Sequence, residues 1–275
     1  MSGIHPAHRR VDYQHHVFIQ ATSLVLLATA MLAVFLPPSA DRRSANSVIA
    51  QTASAASHRI AAWQHVEEFR GPLAQFETVF WEPRDTESLR RLIRETPLVR
   101  DKTILEIGTG TGLIALCCLQ AGAKSVLATD VNPAAIENAR FNAESLGLSD
   151  RLETRLVPLE DAEAFAVVNH HEQFDLIISN PPWEDRAPRL IQEFALYDPG
   201  FKLLRSIIVG LPDHLRPGGR LFLAYGSRDA IQQVQLFTAQ QNLEVVVHDD
   251  RPLDQLPDVF LPGLLIEVRL PLRDH

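Results

Sequence analysis

The chain has 275 residues, of which 46% are hydrophobic and 22% charged, with 13 Gly and 18 Pro. This length holds one large domain or two small ones, and the composition excludes a disordered, collagen-like or polytopic membrane chain. The 26 Lys and Arg against 34 Asp and Glu leave a formal charge of −8, a poor basis for non-specific nucleic-acid binding unless a local basic groove is present.

Residues 1–16 read as a tail. Its His5, His8, His15 and His16 are read as solvated, so no metal is expected. Val17 to Leu36 is 20 residues without a charge, long enough to cross a hydrocarbon core about 30 Å thick. Pro37-Pro38 end it. It is read as a single transmembrane helix, with a signal peptide after Arg9 and Arg10 or a buried segment as alternatives. Arg42 and Arg43 follow the span, so positive charge flanks both ends and leans only slightly to a cytoplasmic C-terminus. Residues 37–57 read as an Ala- and Ser-rich linker, and residues 58–275 as the main domain. Within His58 to Phe69, the residues Ile60, Trp63, Val66 and Phe69 sit at helical spacing. They predict a short amphipathic helix closed by Gly71-Pro72.

From Lys102 onward, apolar runs alternate with helical patterns. Thr103–Ile107 and Ser125–Thr129 read as buried strands, with a helix over Leu113–Gln120 between them. Adjacent Cys117 and Cys118 on that helix have no metal-like spacing and read as core residues. Asn132-Pro133 opens a second helix, with Asn as cap and Pro in the first turn. Ile136, Ala139, Ala143 and Leu146 form its buried stripe, and Gly147 ends it. Leu152–Val157 and Phe174–Ser179 read as strands, Asp198-Pro199 as a helix start, Arg220–Tyr225 as a strand and Ser227 to Gln241 as a helix. Leu243–His248 and Leu264–Leu270 close the chain as strands without a helix between them. The order implies an α/β fold, mainly parallel with an antiparallel edge.

Three motifs carry chemistry. Glu106-Ile-Gly108-Thr109-Gly110-Thr-Gly112 follows a strand and opens a helix, where glycines admit close backbone approach to a ligand. A dinucleotide fingerprint would need glycine where Leu113 stands. Asp130 ends the next strand, at a place where an acid can accept hydrogen bonds from both ribose hydroxyls of a nucleoside. Asn180-Pro181-Pro182-Trp183 follows the strand Phe174–Ser179. Two prolines hold an extended loop, so the Asn side chain and the Pro181 carbonyl can both accept from one planar NH₂ group. Trp183 offers that group a face to stack on.

With these motifs, residues from about Phe76 to Leu270 resemble the class I S-adenosylmethionine-dependent methyltransferases, and their order is similar to that of the HemK group, the release-factor glutamine methyltransferases. Phe80-Trp81-Glu82-Pro83-Arg84-Asp85-Thr86 resembles the segment that precedes the cofactor loop there. The resemblance implies a Rossmann-like, seven-stranded, mostly parallel sheet with an antiparallel last strand. It implies S-adenosylmethionine as cofactor, with Glu106, Gly108, Thr109, Gly110 and Gly112 as the methionine-side loop. Asp130 with Val131 would hold the ribose, Thr86 would lie near the cofactor carboxylate, and Glu160 would help complete the adenine pocket. Asn180 would touch both cofactor and acceptor, with Pro181 and Trp183 beside it.

Three departures stand out. Trp183 replaces the usual Tyr or Phe, Pro158 and Leu159 displace the acid to Glu160, and the apolar segment and linker stand where the bacterial enzymes carry a helical substrate domain. The expected function is methyl transfer to a planar nitrogen, foremost a glutamine in a protein loop. Alternatives are a nucleobase of RNA, a small-molecule acceptor, and a membrane-tethered cofactor-binding protein without catalysis. A dinucleotide-dependent reductase is opposed by Leu113 and the proline motif. Because the implied cofactor is cytosolic, the expected location is a single-pass membrane protein, held through Val17 to Leu36, with its catalytic domain on the cytoplasmic side.

Overall fold

The computed structural model describes residues 59–248, 255–256 and 262–271. Strands β1 (Ile60–Gln64) and β2 (Leu73–Phe76) form an antiparallel hairpin. A seven-stranded sheet follows, made of β3 (Thr103–Ile107), β4 (Ser125–Asp130), β5 (Leu152–Leu156), β6 (Phe174–Ser179), β7 (Leu215–Ala224), β8 (Glu244–Val247) and β9 (Leu265–Arg269). The helices are α1 (Glu87–Glu95), α2 (Leu113–Gln120), α3 (Pro133–Ser145), α4 (Lys202–His214) and α5 (Arg228–Gln240).

The strand order is β5-β4-β3-β6-β7-β9-β8, with β3 to β7 parallel. The expected Rossmann-like sheet with a reversed last strand is therefore present. The reversal is not at an edge, however. Strand β9 runs antiparallel between β7 and β8, so β8 is the outer strand.

Both faces of the sheet are covered, which is why its central strands read as near-continuous apolar runs. Leu105, Ile107 and Ile177 pack on one face with Leu204, Ile208 of α4 and Ile231 of α5. Ile104, Leu176 and Ile178 pack on the other with Leu89 of α1 and Ala115 and Cys118 of α2. Cys117 and Cys118 are free and buried, as expected of core residues.

The helix α3 begins as its sequence indicates. The Asn132 side chain accepts from the Ala134 amide at 3.0 Å and Pro133 occupies the first turn. Two asparagines one helical turn apart do more than cap. The Phe76 amide donates to Asn138 Oδ1 and the Ala74 amide to Asn142 Oδ1, each at 2.8 Å, so α3 holds the buried strand β2 along its flank.

Two expectations are corrected. Where a helix is expected over His58 to Phe69, the described residues from Arg59 onward form a strand followed by a turn. Ile60 and Trp63 are exposed at 38% and 54%, so their spacing marks no buried stripe, and pairing with β2 supplies the order instead. The transmembrane helix is also withdrawn, together with the membrane partner and the single-pass location. No helix among the described residues is long and apolar enough to cross a membrane. Val17 to Leu36, the tail and the linker all lie outside the described residues. The length and hydropathy of a run do not by themselves separate a span from a buried or signal segment.

Candidate active site

The site forms where the chain reverses its direction across the sheet. From β3 the chain moves outward through β4 to β5, then returns to place β6 on the other side of β3. Open α/β sheets bind ligands beyond the carboxyl ends of the strands at such a switch point. The register makes the ends coincide: Ile107 of β3 pairs with Thr129 of β4 and with Ser179 of β6. The glycine loop, Asp130 and Asn180 therefore leave the sheet side by side.

The loop is knit to its neighbours. The amides of Gly108 and Thr109 donate to the Thr129 carbonyl at 2.9 and 3.0 Å. The Gly110 amide donates to Asp130 Oδ2 at 3.0 Å, and the Asn132 amide donates to Asp130 Oδ1 at 2.8 Å. Ser179 Oγ donates to the Ile107 carbonyl at 2.7 Å. Gly112 has a packing role: a Cβ there would lie 3.0 Å from Ala139 Cα of α3, and its φ is +83°. Only glycine lets α2 start this close to α3.

A cavity of about 260 Å³ opens over these strand ends. It is lined by Thr86, Glu106, Gly108, Thr109, Gly110, Asp130, Val131, Asn180 and Pro181 from the expected set. Three expected residues are not among its walls. Gly112 packs against α3, as described. Glu160 is exposed on a short turn after β5, and Val157, Ala162 and Glu163 line the cavity in that region instead. Trp183 is half-buried against the apolar cluster over α4 and α5, because burial of its large ring draws it down onto the core.

Aromatic side chains reach the cavity from elsewhere. Phe80 and Trp81 precede the Pro83–Thr86 turn, and Phe194 and Tyr197 come from the segment between Trp183 and α4. That segment also contributes Pro188, Ile191 and Pro199 to the walls. It is anchored by the Asp198 amide donating to the Glu184 carbonyl at 2.8 Å. The Asp198 carboxylate accepts from the amides of Leu203 and Leu204, each at 3.0 Å, which starts α4. The Arg186 guanidinium sits 4.8 Å from the Tyr197 ring centroid and donates to its hydroxyl at 3.1 Å. Tyr197 thus lies on the cavity, with Arg186 against its ring.

The walls hold buried acids. Glu106 is 2% exposed, and Thr109 Oγ1 donates to its Oε2 at 2.6 Å. Burial pushes its carboxyl up to about 8 against that bond and the Ala115 amide, and the Asp130 charge adds to the rise. Burial also raises Asp130, opposed by the amides it accepts from. Asp85, just behind the wall, is 5% exposed, and its Oδ1 has no hydrogen-bond partner. Burial and then the Glu82 carboxylate push Asp85 up to about 7, opposed by Arg84 and the Asn180 side chain. Sequence reasoning assigned Asp85 no role, although it stands in the quoted Phe80 to Thr86 segment.

The Pro83–Thr86 turn is held from α1. Arg90 is buried, paired with buried Glu68, and donates to the Pro83 carbonyl at 2.9 Å and to Thr86 Oγ1 at 3.3 Å.

Acids held out of water beside a cavity favour a ligand that brings positive charge, since it would offset the cost of ionising them. A sulfonium with an α-ammonium supplies two such charges. A carboxylate has about four lone-pair sites, so Asp130 can accept from a ribose hydroxyl besides the amides it already holds. The residues present therefore fit S-adenosylmethionine.

A family model described as the methyltransferase small domain matches residues 79–251. A release factor glutamine methyltransferase of Cereibacter sphaeroides is 36% identical over 228 residues, covering 74% of this chain and 76% of that protein. One from Xylella fastidiosa is 35% identical over 193 residues, covering 65% of this chain and 67% of that protein. The crystal structure of a ribosomal protein L11 methylase from Lactobacillus delbrueckii subsp. bulgaricus aligns with TM-score 0.50 and 21% identity, over 69% of this chain and 80% of that one, a likeness of fold.

Proposed function

This chain belongs to the methyltransferase small-domain family and is an S-adenosylmethionine-dependent enzyme, and from that premise we propose that it methylates the side-chain amide nitrogen of a protein glutamine. One observation carries the proposal: Asn180 and Pro181 border the same cavity as Glu106 and Asp130, at the adjoining ends of β6, β3 and β4. The names of the related proteins point to glutamine. The nucleobase alternative draws no comparable support from them.

S-adenosylmethionine supplies an electrophilic methyl group on a sulfonium. Glu106 and the glycine loop would hold the methionine end, and Asp130 with Val131 would hold the ribose. Thr86, fixed by Arg90, borders the same space. The Asn180 side-chain oxygen and the Pro181 carbonyl accept from the two N–H groups of the acceptor amide. That draws electron density toward its nitrogen as it leaves conjugation with its own carbonyl. The acceptor nitrogen would gain the methyl carbon as the carbon–sulfur bond breaks with its electron pair staying on sulfur, and the surplus N–H proton would pass to water. Most of the rate gain is alignment, worth about 7–11 kcal/mol at best. The two acceptors add a contribution that is strongest in the transition state. Trp183 serves the loop by packing its outgoing end onto the core.

The test uses the full chain, tritiated S-adenosylmethionine and purified peptide-chain release factor, with total RNA as a parallel acceptor. The expected result is label on a glutamine of the protein that falls at least about 100-fold in Asn180→Ala while cofactor affinity stays within about twofold. Label in RNA alone, or full protein labelling by Asn180→Ala, overturns the proposal.

A further inference from the structure

The loop Asn180-Pro181-Pro182 carries a difficulty of its own chemistry. Two successive prolines remove two backbone N–H donors, so the loop must be held through its carbonyls. Tyr225 meets that need from outside the motif. It follows β7 directly, is 1% exposed, and its hydroxyl donates to the Pro182 carbonyl at 3.0 Å. Its own amide donates to the Leu264 carbonyl ahead of β9 at 3.0 Å. Its ring belongs to the apolar cluster that holds Ile107, Leu204 and Ala230. The phenol is therefore fixed by the strand, by its ring and by its hydroxyl.

We propose that Tyr225 is a positioning residue for methyl transfer, its hydroxyl setting the plane of the Pro182 peptide and through it the aim of Asn180 and the Pro181 carbonyl at the acceptor nitrogen. This rests on the acceptor role given above to Asn180. A polar group at this depth is costly unless it is paired, and an apolar side chain would fill the same core space without that cost. Burial, and secondarily the Asp198 carboxylate, push the phenol's pKa up, which favours the donor form. The geometry it supports is demanding, because a misplacement of about 1 Å can cost about 100-fold in rate.

The experiment compares full-length wild type, Tyr225→Phe, Phe222→Leu and Asn180→Ala. Each is given tritiated S-adenosylmethionine and a cell extract, and initial rates are taken in whichever fraction the wild type labels. Phe222 lies on β7, the strand that Tyr225 follows, packs in the cluster on the opposite side of the sheet, and reports loss of core packing alone. The expected result for Tyr225→Phe is a kcat about tenfold lower, with KM for S-adenosylmethionine within about twofold of wild type. Phe222→Leu is expected to lower Tm at least as much while keeping kcat. Wild-type kcat in Tyr225→Phe overturns the proposal, as does a loss of kcat that Phe222→Leu matches at equal loss of Tm. Full activity in Asn180→Ala removes the reading beneath it, a result separate from the behaviour of Tyr225.

Discussion

Glu106 and Asp85 are carboxyl groups that the fold takes out of water beside one cavity, and half-buried Asp130 at its wall is raised by the same desolvation. For Glu106 the consequence for stability has a definite sign. Its pKa rises from an ordinary 4.5 to about 8 on folding, so the folded state holds the proton more tightly than the unfolded chain. That contribution is whole below the unfolded value and disappears as the pH climbs through the folded one. Glu106→Gln, which has no proton to lose, is expected to flatten the fall in Tm between about pH 5 and pH 8 and to melt above wild type at the upper end. It should also weaken S-adenosylmethionine binding by about tenfold or more, through loss of a charged partner. Thermal melts across that range check the first expectation, and parallel curves for the two proteins would contradict it. Glu106 was legible in the sequence because the glycines that place it are its neighbours. Asp85 was not, since its meaning depends on Asn180, and that pairing exists only after folding.

At the scale of the element, α3 was read well at its cap and less well along its face. Ile136, Ala139 and Ala143 are buried as expected. Asn138 and Asn142 are buried too, at 0% and 1%, because β2 offers them backbone partners. Asn142 accepts from the Ala74 amide at 2.8 Å and donates to the carbonyls of Ala74 and Thr111, each at 2.9 Å. Asn142→Ala takes the side-chain partner from the Ala74 amide and from the Thr111 carbonyl, while Asn138 still donates to the Ala74 carbonyl, and is expected to cost about 2–4 kcal/mol in urea unfolding. Ser145→Ala, on the exposed side of the same helix, should change stability by less than about 0.5 kcal/mol. Equal effects at the two positions would show that α3 does not carry the hairpin. The same contact explains the misread helix over His58 to Phe69. An apolar spacing is a helical signal only if its residues share a buried face, and β2 gave β1 a backbone partner instead.

At the scale of the molecule, cofactor and fold share groups, so binding and stability are linked. Asp130 ties Gly110 to Asn132 and borders the cavity. A ligand at 100 times its Kd stabilises the native state by about 2.7 kcal/mol. For a domain of this size that is a rise in Tm of about 5–10 °C. S-adenosylmethionine is expected to produce such a rise in wild type, and Asp130→Ala should lose most of it while also melting lower in the absence of ligand. A full cofactor-induced rise in Asp130→Ala would place the ribose elsewhere.

The sequence by itself determined the elements from Lys102 onward and which side chains stand at their ends. The strands β3, β4 and β6, the helix α2, the cap of α3, the glycine loop, Asp130 and Asn180 all follow from signals carried within a few neighbouring residues: apolar runs, capping side chains, glycine and proline. Only the tertiary structure decided what those ends face. It placed β9 between β7 and β8, brought Phe194 and Tyr197 to the cavity wall, turned Trp183 onto the core, and brought Tyr225 to Pro182. Each of these depends on contacts between segments far apart in the chain, and no local period or cap encodes which distant surface will bury a side chain.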